Sequence, residues 1–244
     1  MANVERASYR AVLRPGADGT ESLEAAVRDA AAQAKRLVDD GALLTVGMYR
    51  HGDQLFLYAE HMYEGDCRSG SDAVRRAPDD WGWLHGLLRP FPSMNGRDVE
   101  EVEWAAMHPV FWFDEPKSAD YYTRRPRPDA RCGRIAVLYP DKLMDYVCHH
   151  QAIVREGLLV GDRYQFISIH DNVLFSYFER PRDRGRRNIS GVDRPSEEIR
   201  RWLDVDPASH FNHFPEANGD DFLVIDTLFD FGLSSVQEGN HDDA

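Results

Sequence analysis

The sequence predicts an α+β chain built as two tandem ferredoxin-like β-α-β-β-α-β repeats packed sheet to sheet. Three observations carry that reading. Segments recur in order: Ala11-Val12-Leu13-x-Pro15 returns as Ala136-Val137-Leu138-x-Pro140 at an offset of 125, and Leu55-Phe56-x-Tyr58-x-Glu60 returns as Leu174-Phe175-x-Tyr177-x-Glu179 at an offset of 119. In each copy a helical pattern follows the first strand. In each copy two β-rich runs then flank a short turn, with His51 at the first and His170 at the second. One such sheet leaves an apolar face bare, and two copies in one chain can cover each other.

In chain order, Ser8 to Leu13 alternate as a strand and Pro15-Gly16 ends it. Asp18 or Thr20 caps a helix reaching about Asp39, with Glu21 and Glu24 in its first turn. Its apolar positions Leu23, Val27, Ala30, Ala34 and Leu37 or Val38 give one buried stripe, and Gly41 stops it. Residues 43–50 and 54–60 form a hairpin about His51-Gly52-Asp53. After a loop-rich stretch at 61–97, Asp98 is expected to cap a helix through Met107, with Glu101 completing a capping box. A fourth strand is expected near Tyr121-Tyr122. In the second copy the strand ends at Pro140, a short helix carries Tyr146, Cys148, His149 and His150, and Gly157 stands where Gly41 stood. Residues 180–194 read as a charged loop, Ser196 caps the helix SEEIRRWL, and 221–231 reads as the closing strand. The units are then a first repeat at 1–116, a linker at 117–132, a second repeat at 133–235 and a frayed tail at 236–244.

Composition narrows function. Hydrophobic residues at 42% and aromatics at 11% fit a globular chain. A net charge of −13 argues against nucleic acid or anionic lipid as partner. No apolar run is long enough for a membrane-spanning helix. The polar N-terminus and three scattered cysteines, Cys67, Cys132 and Cys148, fit free thiols in the cytoplasm. Phosphate-cradling glycine loops and the GxSxG and HExxH patterns are absent, so no nucleotide cofactor is expected.

Residues 134–179 resemble the L-rhamnose mutarotase family of the dimeric α/β-barrel superfamily. The resemblance rests on a first strand ending at Pro140, on Tyr146-x-x-x-His150, and on Leu174-Phe175-x-Tyr177-x-Glu179 after a hairpin. The family's W-x-x-M pattern on a second helix is matched by Trp104-Ala105-Ala106-Met107, whereas the second copy has Trp202-Leu203-Asp204-Val205 there. The first copy's helix holds no histidine. The resemblance implies a barrel formed inside one chain and a cofactor-independent interconversion of sugar anomers. His150 would be the acid/base, with Tyr146 its partner one helical turn away. Trp104, Trp202, His210, His213 and Tyr177 would bind substrate. Neither a metal nor another cofactor is implied. Two rivals use the same fold: a cofactor-free monooxygenase or haem-binding enzyme, with His150 or His170 as the axial ligand, and a non-catalytic ligand-binding barrel. The partner in each case is a small molecule, and the chain is a monomer with an internal barrel or a homodimer.

Overall fold

The computed structural model describes residues 3–63, 77–95, 98–116, 121, 128–159, 161–182 and 196–233. The chain opens with β1 (Asn3–Val12), α1 (Glu21–Asp39), β2 (Leu43–His51) and β3 (Gln54–Tyr63). It continues through β4 (Phe91–Asn95), β5 (Asp98–Val102), β6 (Ala105–Ala106) and β7 (His108–Trp112). The second half holds β8 (Ala130–Val137), α2 (Leu143–Glu156), β9 (Phe166–His170), β10 (Val173–Arg180), α3 (Glu197–Asp204) and β11 (Leu223–Gly232).

Local chemistry fixes several boundaries. Thr20 caps α1, its hydroxyl accepting from the Leu23 N–H at 3.2 Å. Ser196 caps α3 in the same way, with the Ile199 N–H at 2.9 Å. Gly157 ends α2 at φ +71°, the left-handed conformation that favours glycine at a helix stop. The hairpin turns fall at Gly52-Asp53 and Asp171-Asn172, just past His51 and His170.

One segment departs from expectation. Residues 98–107 form strands, not a helix: β5 pairs with β4 as a separate hairpin, and β6 pairs with β1. The fourth strand of the first half is therefore β6–β7 and not a segment at Tyr121-Tyr122. Tyr121 is fully buried outside any strand, and Tyr122 lies outside the described residues, as do Cys67 and the expected tail. Strand β8 begins at Ala130, within the stretch expected to be linker.

Nine strands form one antiparallel sheet in the order β6-β1-β3-β2-β11-β8-β10-β9-β7. Its two ends are neighbours in the chain, since only Met107 separates β6 from β7. The Met107 N–H donates to the Ser8 carbonyl at 2.9 Å. The sheet thus returns on itself as a nearly closed antiparallel barrel with few helices, dimeric α/β-barrel-like in form. Closure uses one strand from each half. β6–β7 bonds to β1 and β9, while β11 bonds to β2 and β8. Register is also repeated: Arg6 faces Glu60 and Ser8 faces Tyr58 across β1–β3, as Arg131 faces Glu179 and Gly133 faces Tyr177 across β8–β10.

Alternation along these strands separates the three largest apolar regions. Inside the barrel lie Tyr49, Phe56, Tyr58, Met107, Phe166, Phe175 and Tyr177. Phe56 stacks on Phe175 at 5.2 Å between ring centroids, and Tyr58 on Tyr177 at 3.9 Å. Outside, α1 covers the first half with Trp83 and Trp104 in the same cluster. The second half is covered by α2 and α3 around Ala136, Leu138, Tyr146 and Ile153. Gly133 allows the Tyr49 ring to cross the interior, because a Cβ there would sit 2.5 Å from Tyr49 Cγ. Gly133→Ala is expected to destabilise the protein by roughly 1–3 kcal/mol through overpacking. In a Tyr49→Ala background the added cost should largely vanish, which a double-mutant cycle in urea would read.

Candidate functional site

Helix α2 places Tyr146 and His150 on one face, four residues apart. Both lie against the outer surface of the barrel, at 1% and 9% exposure. Their rings stack at 3.9 Å with a 23° tilt. His150 Nδ1 lies 2.9 Å from the Tyr146 carbonyl oxygen. A carbonyl oxygen only accepts, so Nδ1 carries the hydrogen and Nε2 keeps a lone pair. Burial pushes the His150 pKa from 6.5 down to about 4, against the opposing pull of that backbone bond, with His149 and His210 lowering it further. His150 is therefore neutral at pH 7. Burial likewise raises the Tyr146 phenol above its ordinary range, and the charges of Arg134 and Asp221 also act on it.

Trp202 of α3 closes the cluster. Its ring meets His150 at 4.7 Å, Tyr146 at 5.6 Å and His210 at 4.7 Å. Phe111 of β7 sets an edge to His150 at 5.5 Å, and Phe211 one to Tyr146 at 5.7 Å. His210 is fully buried, and its Nε2 lies 2.9 Å from Asp145 Oδ2 on α2. That bond is the main cause holding the Asp145 carboxyl below its usual range. The same carboxylate lies 3.6 Å from His149 Nε2, so Asp145 serves two histidines. The His210 Nδ1 has no partner among the described residues.

Four of the expected site residues thus come together: Tyr146, His150, Trp202 and His210. His213 is nearby but partly exposed, bound to Asp221 at 3.0 Å. Trp104 does not join them. It is buried in the first half's core, its indole N–H donating to the Trp83 carbonyl at 3.1 Å. It was drawn to the site by the expectation of a helix at 98–107, which strands replace. Tyr177 points instead into the barrel and donates to Glu179 at 2.6 Å. His170, at its hairpin turn, packs on Phe91 with centroids 5.4 Å apart. The faces and edges of His150 are taken by rings, which leaves no space for a macrocycle beside it. Among the described residues no group of three or more His, Cys, Asp or Glu side chains is placed to hold a metal ion.

Residues the sequence reading passed over line a recess of about 680 Å³ beside this cluster, among them Arg134, Phe178, Arg180, Asp221 and Phe222. One signal was present. Arg134 falls at the repeat position of Tyr9, a charge where the other copy has a core ring.

No protein-family model matches the chain, and no curated protein matches it in sequence. Among solved structures it is similar to a candidate monooxygenase of Fusobacterium nucleatum, at 9% identity over 94% of each chain and a TM-score of 0.38. It is also similar to a candidate monooxygenase of Lactobacillus acidophilus, at 8% identity over 93% of this chain and 95% of that one, with a TM-score of 0.37. Likenesses this faint carry no weight for activity.

The buried neutral imidazole has a stability consequence. Unfolded, His150 takes a proton near its ordinary pKa; folded, it takes one only near 4. The unfolded state therefore binds more protons across that interval, and stability falls as pH drops from about 6.5 to about 4. The full interval corresponds to roughly 3 kcal/mol. Urea unfolding of wild type and His150→Phe across this range should show a steeper acid loss in wild type, and parallel curves would contradict it.

Proposed function

We propose that the chain is a cofactor-independent small-molecule enzyme of the oxygenase kind, acting at the Tyr146–His150–Trp202–His210 cluster on a planar, hydroxylated ring compound. The observation that carries this reading is the state of His150: enclosed by aromatic rings, neutral, with Nδ1–H committed and Nε2 left as an acceptor. The mutarotase reading fits that state poorly. Anomer exchange needs a group that gives as well as takes a proton near neutral pH. A histidine with a pKa of about 4 holds no proton to give at pH 7. Rings also offer few partners to a sugar's hydroxyls, whereas they suit the faces of a flat substrate.

In the reaction envisaged, Nε2 accepts a hydrogen bond from a substrate hydroxyl and orients an electron-rich ring. Dioxygen, itself apolar, is the co-reactant. A ring methylene loses two hydrogens and gains one oxygen atom as a carbonyl, and the second oxygen leaves as water. The electrons come from the substrate, so no resident cofactor is required.

The same reading takes residues 1–116 and 133–235 as two ferredoxin-like copies of a duplicated unit, supported by the repeated register of β1–β3 and β8–β10. Only the second copy keeps the histidine helix. With both inner faces covered within one chain, a monomer is expected in solution, and light scattering should give the mass of a single chain.

The functional test is oxygen uptake by the protein, in the presence of chelator, with a panel of polyhydroxylated aromatics that each carry a ring methylene. Uptake with at least one compound is expected, falling by about 10²-fold or more in His150→Phe, the usual effect of losing a positioned proton acceptor. If no compound is oxidised and saturation-transfer NMR instead detects accelerated anomer exchange on a monosaccharide, the mutarotase reading replaces this one. If neither occurs, a binding barrel without turnover replaces both.

A further inference from the structure

We infer that the second half binds a small planar carboxylate in the recess lined by Arg134 and Phe178, on the outer face of β8, β10 and β11. The two halves differ at this place. On the first half's outer face, Tyr9, Leu57, Ala7 and Ala59 are buried in one cluster with Trp83 and Trp104. The matching register positions in the second half are Arg134, Ser176, Cys132 and Phe178. Core residues are thus replaced by a cation, a hydroxyl, a thiol and a ring. Where the first half is filled with tryptophan, the second has the recess of about 680 Å³.

The recess is built for a flat anion. The Arg134 guanidinium lies 4.4 Å from the Phe222 ring centre and 5.4 Å from that of Phe178. Its Nε donates to Ser176 Oγ at 3.3 Å, which fixes the plane of the group. Arg182 and Arg180 also approach the Phe178 ring, at 4.8 and 6.0 Å. Three guanidinium groups around one phenylalanine set cationic donors against an aromatic wall, the setting in which a carboxylate is held and its ring stacks. Arg182 is tied to Asp162 and Gln165, Arg180 meets the Cys132 thiol, and all three arginines line the space. Asp129, Asp220 and Asp221 also line the recess. They suit a donor on the ligand's other end, such as a phenol hydroxyl, and they disfavour a ligand of multiple negative charge. A hydroxylated aromatic acid satisfies both ends.

This inference concerns binding at Arg134, not chemistry at His150, and the two fail separately. The test is titration calorimetry of the whole chain with 4-hydroxybenzoate, 4-hydroxybenzyl alcohol and inorganic phosphate as probes. Saturable binding of 4-hydroxybenzoate is expected, with the alcohol and phosphate weaker. Arg134→Gln and Arg180→Gln should each weaken it by about 10-fold, as for the loss of one charge-assisted bond. Arg180 is exposed, so its variant stays folded even if Arg134→Gln does not. Lys35→Gln, on the exposed face of α1, should bind the probe as wild type does. No saturable binding by wild type, or unchanged affinity in Arg180→Gln and folded Arg134→Gln, would overturn the inference, as would phosphate binding as tightly as the aromatic acid.

Discussion

Two tyrosines stacked at the barrel's centre hold the architecture to its form. Tyr58 and Tyr177 lie 3.9 Å apart and nearly parallel, and each donates its hydroxyl to the glutamate two residues on, Glu60 or Glu179. A phenol and a carboxylate buried this deeply must be paired, because water cannot reach them. Each half supplies the same pattern, so each fills the other's interior with the same face of the same strand. Arg6 and Arg131 stand opposite the two glutamates in register, and Arg131 lies 3.8 Å from Glu179 and 3.1 Å from Asp230. Strand exchange completes the dependence: β11 and β6–β7 each bond to both halves, so neither half can close its own sheet edge alone.

With the interior filled by rings, the outer faces are left to differ. The first half uses its outer face for stability, covering it with α1, Trp83 and Trp104. The second keeps titratable groups beneath α2 and a charged recess beside them. Helix α3 is short and covers the cluster chiefly through Trp202, while its Leu203 remains exposed. The proposed site therefore lies on one half, and the other half's outer face is packed with apolar side chains.

Much of this was legible in the sequence, where local rules decide. Caps at Thr20 and Ser196, the left-handed stop at Gly157 and both hairpins follow from neighbouring residues. The sharing of a helix face by Tyr146 and His150 follows from spacing alone. The failures are non-local. Residues 98–107 carry acidic and alanine positions that suit a helix, yet pairing with β4 and β1 overrides that preference. Once that segment is a strand, Trp104 belongs to the first half's core. Tyr177 was misplaced because parity says only that strand residues alternate, not which face becomes the barrel interior. Trp202 and His210 were named without their geometry, since only α3 packing on α2 brings them to His150.

The state of His150 is the point on which the functional account turns, and nitrogen-detected NMR of the histidine ring reads it directly. A titration of labelled protein should find His150 as the neutral Nδ1–H form, with Nε2 unprotonated, until the pH approaches about 4. An Nε2–H tautomer, or protonation near the ordinary histidine pKa, would contradict the account.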